Sequence, residues 1–506
     1  MARPSGFLSA VERVGNRLPD PATLFVLLGA ATLLASALGA WAGWSVVDPR
    51  DPSKSVAVRS LLDAEGVRWI LTQAIRNFLD FPPLAIVLVA MLGIGVAERT
   101  GLFPALLKLL VIVTPRALLS PAVVFIGIMS SAAADAGYVV LPPLAAGVFA
   151  RVGRSPLAGI AAATFGVAGG FSANLAITSL DPLLQGLTEQ AARALDPNVI
   201  VRADCNWYFM VASTFLMTGV GWFVTDRIVE PRFDRLSVER QLAQGGGVAA
   251  GDESLSPGER RGLWAALAAF VLAGGAFAAM AFIPGGPLTG EVQRHGTTTM
   301  VPSWTEAIVP MLLVLFLLPG IAFGTVSGEI RSDRCVANRM GEAMAGMGTY
   351  VVLAFFAGQA IAWFRQSNLA TVIGIEGAEV VKSLGLGTGP MLVAVVGATA
   401  LLNLLVSSAS AKWAFLAPVL VPMLAQAGMR PELVQVAYRV GDSCTNPIAP
   451  LNAYLVIILV AIRRWQPDAG IGTLIALLVP YCITALVAWT AFLVAWESLG
   501  IPLGPG

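Results

Sequence analysis

The sequence predicts an all-α polytopic membrane protein with nine transmembrane helices plus two oppositely oriented re-entrant hairpins in an inverted repeat. Three observations predict it. Of 506 residues, 56% are hydrophobic and 12% charged, where a soluble domain carries about 25% charged residues. Two small-residue stretches, Ser130-Ser131-Ala132-Ala133-Ala134-Asp135 and Ser407-Ser408-Ala409-Ser410-Ala411-Lys412, interrupt apolar runs at matching places. The apolar run after each is itself broken, first by Gly169-Gly170-Phe171-Ser172-Ala173-Asn174 and then by Gly441-Asp442-Ser443-Cys444-Thr445-Asn446-Pro447.

Apolar runs long enough to cross a bilayer lie near 22–44, 80–98, 156–180, 206–229, 262–283, 304–325, 343–364, 431–462 and 471–496, a crossing needing about 20 helical residues. Arg3, Arg13 and Arg17 precede the first run with no small-residue cleavage site, which makes it a retained span rather than a removed leader. With the N-terminus cytoplasmic, inside loops hold 19 of the 32 Lys and Arg residues and outside loops 11; Lys412 and Arg439 fall within the membrane. The positive-inside rule thus favours this orientation, a multi-pass chain with its N-terminus inside and its C-terminus on the opposite side. The arms around each interruption, 117–129 with 136–150 and 390–406 with 414–427, are too short to span separately. They read as hairpins, the first dipping in from the cytoplasm and the second from outside.

Within 80–229 and 343–496 the order repeats: span, amphipathic stretch, hairpin, interrupted span, final span. Four regions follow. Residues 1–79 are a scaffold span and external segment, and 80–229 are repeat 1 with hairpin 1 at about 116–152. Residues 230–342 are a cytoplasmic loop and two linking scaffold spans, and 343–506 are repeat 2 with hairpin 2 at about 390–428.

Composition also excludes functions. A net charge of +1 without a basic stripe leaves no nucleic-acid surface. Cys205, Cys335, Cys444 and Cys482 form no CxxC pair, and the single histidine, His295, lies in a loop, so metal and disulfide chemistry are not expected. No nucleotide-binding GxxxxGK[ST] occurs, which leaves an ion gradient as the driving force and no cofactor beyond Na+ or H+.

Unwound backbone at membrane depth survives only in protein or beside a wet cavity, so the breaks point to the substrate and ion path. Their oxygens suit a hard cation, with sodium expected at Ser131, Asn174, Ser408 and Asn446. Ser130 and Ser410 belong to the same tips. Pro447 lacks an amide hydrogen and should unwind its span. Charges in the bilayer cost about 2.5–3.5 kcal/mol each and need a reason to be there. Asp442 sits at i+3 from Arg439, on one helix face, as a coupling carboxylate or one half of an internal ion pair. Asp135 caps the second arm of hairpin 1 or binds ligand; Asp181, before Pro182, is a helix N-cap or a ligand group. Asn403, one turn above the second tip, requires an amide partner. Trp413 is an aromatic platform or a wall filler, and Lys412 is an anion-binding group or, the preferred reading, a side chain snorkelling to the interface. A proton would be carried by Asp442 or Asp181.

Ser-Ser-Ala-Ser-Ala-Lys-Trp at 407–413, the Ala-Pro-Val-Leu-Val-Pro-Met that follows, and Tyr-Arg-Val-Gly-Asp-Ser-Cys-Thr-Asn-Pro-Ile-Ala-Pro-Leu at 438–451 resemble the AbgT family, the p-aminobenzoyl-glutamate transporters. The resemblance implies a homodimer whose protomers each hold an inner core around the hairpins and an outer scaffold. It implies handling of p-aminobenzoyl-glutamate, a folate breakdown product, and export of sulfonamide antimetabolites. Carried over by motif, the functional positions are Asp181, Asn403, Ser407, Trp413, Pro418, Arg439, Asp442 and Pro447. A sodium-coupled dicarboxylate uptake carrier shares the paired hairpins and is the second reading. An intramembrane aspartyl protease using Asp442 with Asp135 or Asp181 is the third, although the first glycine of a GxGD motif is missing at Arg439.

Overall fold

Prolines and serines set where the helices of this chain begin: Pro82, Pro156, Pro257 and Pro431 each occupy the first helical position, where the absent amide hydrogen costs nothing. Ser155 and Ser256 cap two of these starts through their hydroxyls. The computed structural model describes residues 21–48, 51–112, 114–130, 136–233, 235–244, 255–293, 300–406, 408–449, 452 and 454–505.

Helix α1 (Pro21–Trp41) leads through strands β1 (Ser45–Asp48) and β2 (Asp51–Ala57) to α2 (Ala64–Leu79). Repeat 1 then contains α3 (Pro82–Arg99), α4 (Leu102–Ile112), α5 (Leu119–Met129), α6 (Ala136–Arg151), α7 (Pro156–Thr164), α8 (Leu180–Ala192) and α9 (Trp207–Val224). A linking region follows, with α10 (Arg235–Gln244), α11 (Pro257–Phe282), strands β3 (Glu291–Gln293) and β4 (Met300–Pro302), the short turn α12 (Ser303–Glu306), α13 (Ile308–Ser327) and α14 (Asp333–Gly346). Repeat 2 contains α15 (Gly348–Gln366), α16 (Leu369–Ser383), α17 (Thr388–Asn403), α18 (Ala409–Gln426), α19 (Pro431–Thr445), α20 (Tyr454–Arg463) and α21 (Ile471–Ser498). The expectation of an all-α chain needs one correction: β1–β2 and β3–β4 form two small antiparallel pairs.

Among the described residues, five helical stretches are long and apolar enough to cross a membrane: Ala64–Arg99, Trp207–Arg232, Pro257–Phe282, Ile308–Ser327 and Ile471–Ser498. A sixth appears when α14 and α15, bent by 47° at their junction, count as one. Two of the expected spans are not continuous helices, because the sequence stops them midway. The span at 156–180 is helical through α7, relaxes into a π-turn at Phe165–Gly169 and runs non-helically to α8. That at 431–462 ends at Thr445, takes one 3-10 turn over Asn446–Ile448 around Pro447, and resumes at α20, as the missing amide hydrogen of Pro447 dictates. The hairpin interruptions are real breaks as well, α5 stopping at Met129 and α17 at Asn403.

Packing follows the same scheme in both halves. The first hairpin arm leans on the last helix of its own repeat, α5 on α9 and α17 on α21; the second leans on the amphipathic helix, α6 on α4 and α18 on α16. Across the repeats, α6 packs on α20 and α18 packs on α8. Both α17 and α18 seat on α19, α17 adding α21 and α18 adding α8 and α16. A large apolar core centres on these elements, from Leu119 and Phe165 to Trp413 and Trp489.

A second core joins α3, α4, α11 and α13 through Ala90, Ile94, Leu102, Phe103, Leu263 and Phe323. Here α3 and α13 touch backbone to backbone: a Cβ on Gly93 would lie 2.2 Å from the Leu313 carbonyl oxygen. Outward, Phe270, Val271 and Leu272 of α11 and Phe215, Trp222 and Phe223 of α9 are exposed, as expected of surfaces that lipid covers. Arg154, after α6, ties the base of hairpin 1 to the end of α9 by pairing with Asp226 (2.6 Å) and Glu230. Ser120 and Trp222 complete the shell of Asp226 at 2.6 and 2.7 Å.

Candidate functional site

Helix α19 is enclosed along its length: every residue from Leu433 to Thr445 is buried, including Arg439 and Asp442, each 1% exposed. Gly441 allows that enclosure, since a Cβ there would stand 2.4 Å from the Val396 carbonyl oxygen of α17. Gly441→Ala is therefore expected to push α17 off α19 and cost about 1–3 kcal/mol, read as a lower Tm of the detergent-purified protein.

Buried charges must be compensated, and here each finds its partner on another element. Arg439 Nη1 donates to Asp181 Oδ1 at 2.6 Å, and its Nη2 donates to the Ser172 carbonyl oxygen at 3.2 Å. Lys412 Nζ lies 2.6 Å from Asp442 Oδ1 and also donates to Asn403 Oδ1. The expected i,i+3 pair of Arg439 with Asp442 is thus replaced by two pairs to other elements, because a helix packed on several sides turns each side chain toward the element it faces. Lys412 does not snorkel; it is 2% exposed and turns its ammonium to Asp442.

Asp181 is two residues deeper in its helix than an N-cap: Ser179 precedes the first turn and Leu180 opens it. Its Oδ2 reaches back to accept from the Thr178 amide (2.7 Å) and hydroxyl (2.8 Å). Asn403, fully buried at the end of α17, satisfies its amide by donating to the Asp442 carbonyl oxygen (2.7 Å), Thr445 Oγ1 (2.9 Å) and Asn446 Oδ1 (3.0 Å). It thereby staples hairpin 2 to the break in α19. Across the break in repeat 1, the Ser172 amide donates to Ser443 Oγ at 3.2 Å.

Trp413 is a wall. Its ring is wholly buried, stacked on Tyr438 at 4.5 Å, and its indole nitrogen donates to Thr188 Oγ1 at 2.9 Å. Tyr438 in turn donates to the Ala409 carbonyl oxygen at 2.5 Å. Ser408 caps α18 by accepting from the Ala411 amide and lies 3.3 Å from Ser410 Oγ. Pro418 is buried within α18. Ser130 spends its hydroxyl on the Gly127 carbonyl oxygen at 2.6 Å. Asn174 is buried in the non-helical segment after the π-turn. Ser131, Asp135 and Ser407 lie outside the described residues.

The structure thus gathers Asn403, Lys412, Asp442 and Asn446 into one polar cluster and Arg439 with Asp181 into a second, while Trp413 opens a third chain at Thr188. Sequence reasoning missed Thr188, Gln435 and Asn206, which make up that chain: Thr188 donates to Gln435 Oε1 at 2.5 Å and Gln435 donates to Asn206 Oδ1 at 2.7 Å. Their only sequence signal is polarity on helices whose other contacts are apolar. Asp442 and Asp181 are each held by a separate cation, not by one shared proton, which removes the geometry an aspartyl protease requires.

A family model for the AbgT putative transporter family matches residues 6–506. The p-aminobenzoyl-glutamate transport protein of Escherichia coli (strain K12) is 35% identical over 498 residues, 98% of this chain and 95% of that protein. Two solved structures superpose over nearly the full length. The Alcanivorax borkumensis YdaH transporter gives a TM-score of 0.88 at 39% identity, covering 96% of this chain and 100% of that one. Neisseria gonorrhoeae MtrF, described among a class of antimetabolite efflux pumps, gives 0.89 at 42% identity with 99% of each chain covered. These relatives are transport proteins rather than enzymes, and this chain, matched over almost its entire length, belongs to the AbgT family of transporters.

Proposed function

We propose that this chain is a secondary active transporter of the inner membrane that moves p-aminobenzoyl-glutamate-like folate catabolites and exports sulfonamide antimetabolites, driven by a sodium or proton gradient. One observation carries the reading: two buried ion pairs lie just before the break in α19, Arg439–Asp181 tying it to the start of α8 and Lys412–Asp442 tying it to α18 beside the second tip. Intramembrane charges mark a transport path, and unwound backbone beside them supplies ligand groups. In this reading Arg439 takes a substrate carboxylate when it parts from Asp181, Asn403 and Asn446 supply amide contacts, and Trp413 is the rigid wall that sets the width of the aromatic slot. The names of the relatives in Escherichia coli and Neisseria support this choice of substrates. Nine spans, a cytoplasmic N-terminus and a homodimer complete the proposal; the like packing of the two halves supports its inverted repeat.

Radiolabelled p-aminobenzoyl-glutamate flux in proteoliposomes, with imposed sodium, proton or no gradient, tests it. Wild type is expected to show gradient-dependent flux and Asp442→Ala to fall to the protein-free background. Equal flux in the two proteins removes Asp442 from the mechanism, and no flux of that compound under any gradient overturns the substrate.

A further inference from the structure

The second repeat has the oxygen groups of an alkali-cation cage, and the chain fills that cage itself. Around Lys412 Nζ stand Asp442 Oδ1 at 2.6 Å and Asn403 Oδ1, while the Asn403 amide is held in place by Thr445 Oγ1, Asn446 Oδ1 and the Asp442 carbonyl oxygen. A carboxylate and an amide oxygen closing on one positive charge are what a hard cation takes, in the case of calcium at roughly 2.3–2.6 Å. An ammonium offers the same single charge through three hydrogen-bond donors. Lys412, 2% exposed, reaches this place because it lies one turn into α18, directly beyond the second tip.

The oxygens expected to hold sodium here are engaged in other ways. Asn446 Oδ1 accepts from Asn403, and Ser408 Oγ accepts from the Ala411 amide. A sodium ion at Ser408 or Asn446 would have to share the oxygen with these hydrogen bonds, whereas the two oxygens at Lys412 already face a positive charge. Repeat 1 has no counterpart to this arrangement: in the paired tips Asp135 stands where repeat 2 has Lys412, and in the paired breaks Gly170 stands where it has Asp442.

We propose that the Lys412 ammonium is a tethered resident cation that takes the place of free sodium in repeat 2, so that deleting the ammonium converts Asp442 and Asn403 into the core of a sodium site. The inference deepens the proposed transport reading by assigning the two repeats unlike cation chemistry. Its test needs no substrate, so its failure and the failure of the substrate assignment are separate results.

The test measures thermal unfolding of detergent-purified full-length protein in sodium chloride and in choline chloride at equal ionic strength. It compares wild type, Asp442→Asn, Lys412→Met, Lys412→Ala and Lys412→Met with Asp442→Asn. Methionine keeps the apolar stem of Lys412, so this variant retains packing that alanine loses. Both Lys412 variants are expected to unfold at lower temperature than wild type in choline and to regain a few degrees with sodium, saturably. The double variant is expected to show no such gain, and radioactive sodium binding to Lys412→Met is expected to exceed wild type by one site per chain. Whatever sodium response wild type has is expected to survive Asp442→Asn. Lys412 variants with no sodium response beyond that of wild type overturn the proposal. So does a wild-type sodium response that Asp442→Asn abolishes.

Discussion

Replacing Arg439 with alanine is expected to cost about 3–5 kcal/mol of folding stability, the usual penalty for stranding one member of a buried pair. The size follows from where Asp181 is left. Its side chain is 10% exposed, and Oδ1 would lose its 2.6 Å partner while Oδ2 remains committed to Thr178. Neutralising the stranded carboxylate should recover most of the loss, so Arg439→Ala combined with Asp181→Asn is expected to be more stable than Arg439→Ala alone. A double-mutant cycle on unfolding in detergent reads the coupling directly. A coupling energy near zero would mean that the pair carries no weight in the fold. Transport is expected to separate from stability: the double variant folds but lacks the guanidinium proposed to meet a substrate carboxylate.

Trp413→Ala carries the second large expected effect, about 3–5 kcal/mol. The ring is completely enclosed between Tyr438 and α8, so its removal leaves a cavity that neither α18 nor α19 can close while Lys412 and Asn403 hold their positions. Trp413→Phe fills most of that space and loses only the indole donor to Thr188, a deficit of about 0.5–1.5 kcal/mol. Chemical or thermal unfolding of the two variants should give this order by a wide margin. Equal losses would show that the hydrogen bond, not the packing, is what Trp413 contributes.

The architecture was legible where its causes are local. Ser130-Ser131 and Ser407-Ser408 interrupt apolar runs within a few residues, and Pro447 blocks a helix by its own chemistry, so the helix breaks at these places follow from short windows of sequence. Partner choice is not local. Arg439 and Asp181 are 258 residues apart, and the nearer carboxylate, Asp442, is on the same helix and still not chosen. The same-face rule holds for a helix in solvent; α19 is surrounded, and each of its side chains answers to a different neighbour. Lys412 was misread for a related reason. Snorkelling presumes lipid and an interface within reach, whereas the second tip ends inside protein. The N-cap reading of Asp181 put the start of α8 two residues late, because an Asp-Pro pair serves an N-cap and a first turn alike. The Thr188–Gln435–Asn206 chain had no signature at all, since its members are ordinary polar residues until three elements bring them together.

The packing around the second tip has a mechanical consequence. Both α17 and α18 seat on α19, and the Asn403 amide and the Lys412 ammonium grip the same residue of it, Asp442. Any displacement that carries α18 with α8 must therefore drag α19 along or part Lys412 from Asp442, so that pair is a latch on relative travel.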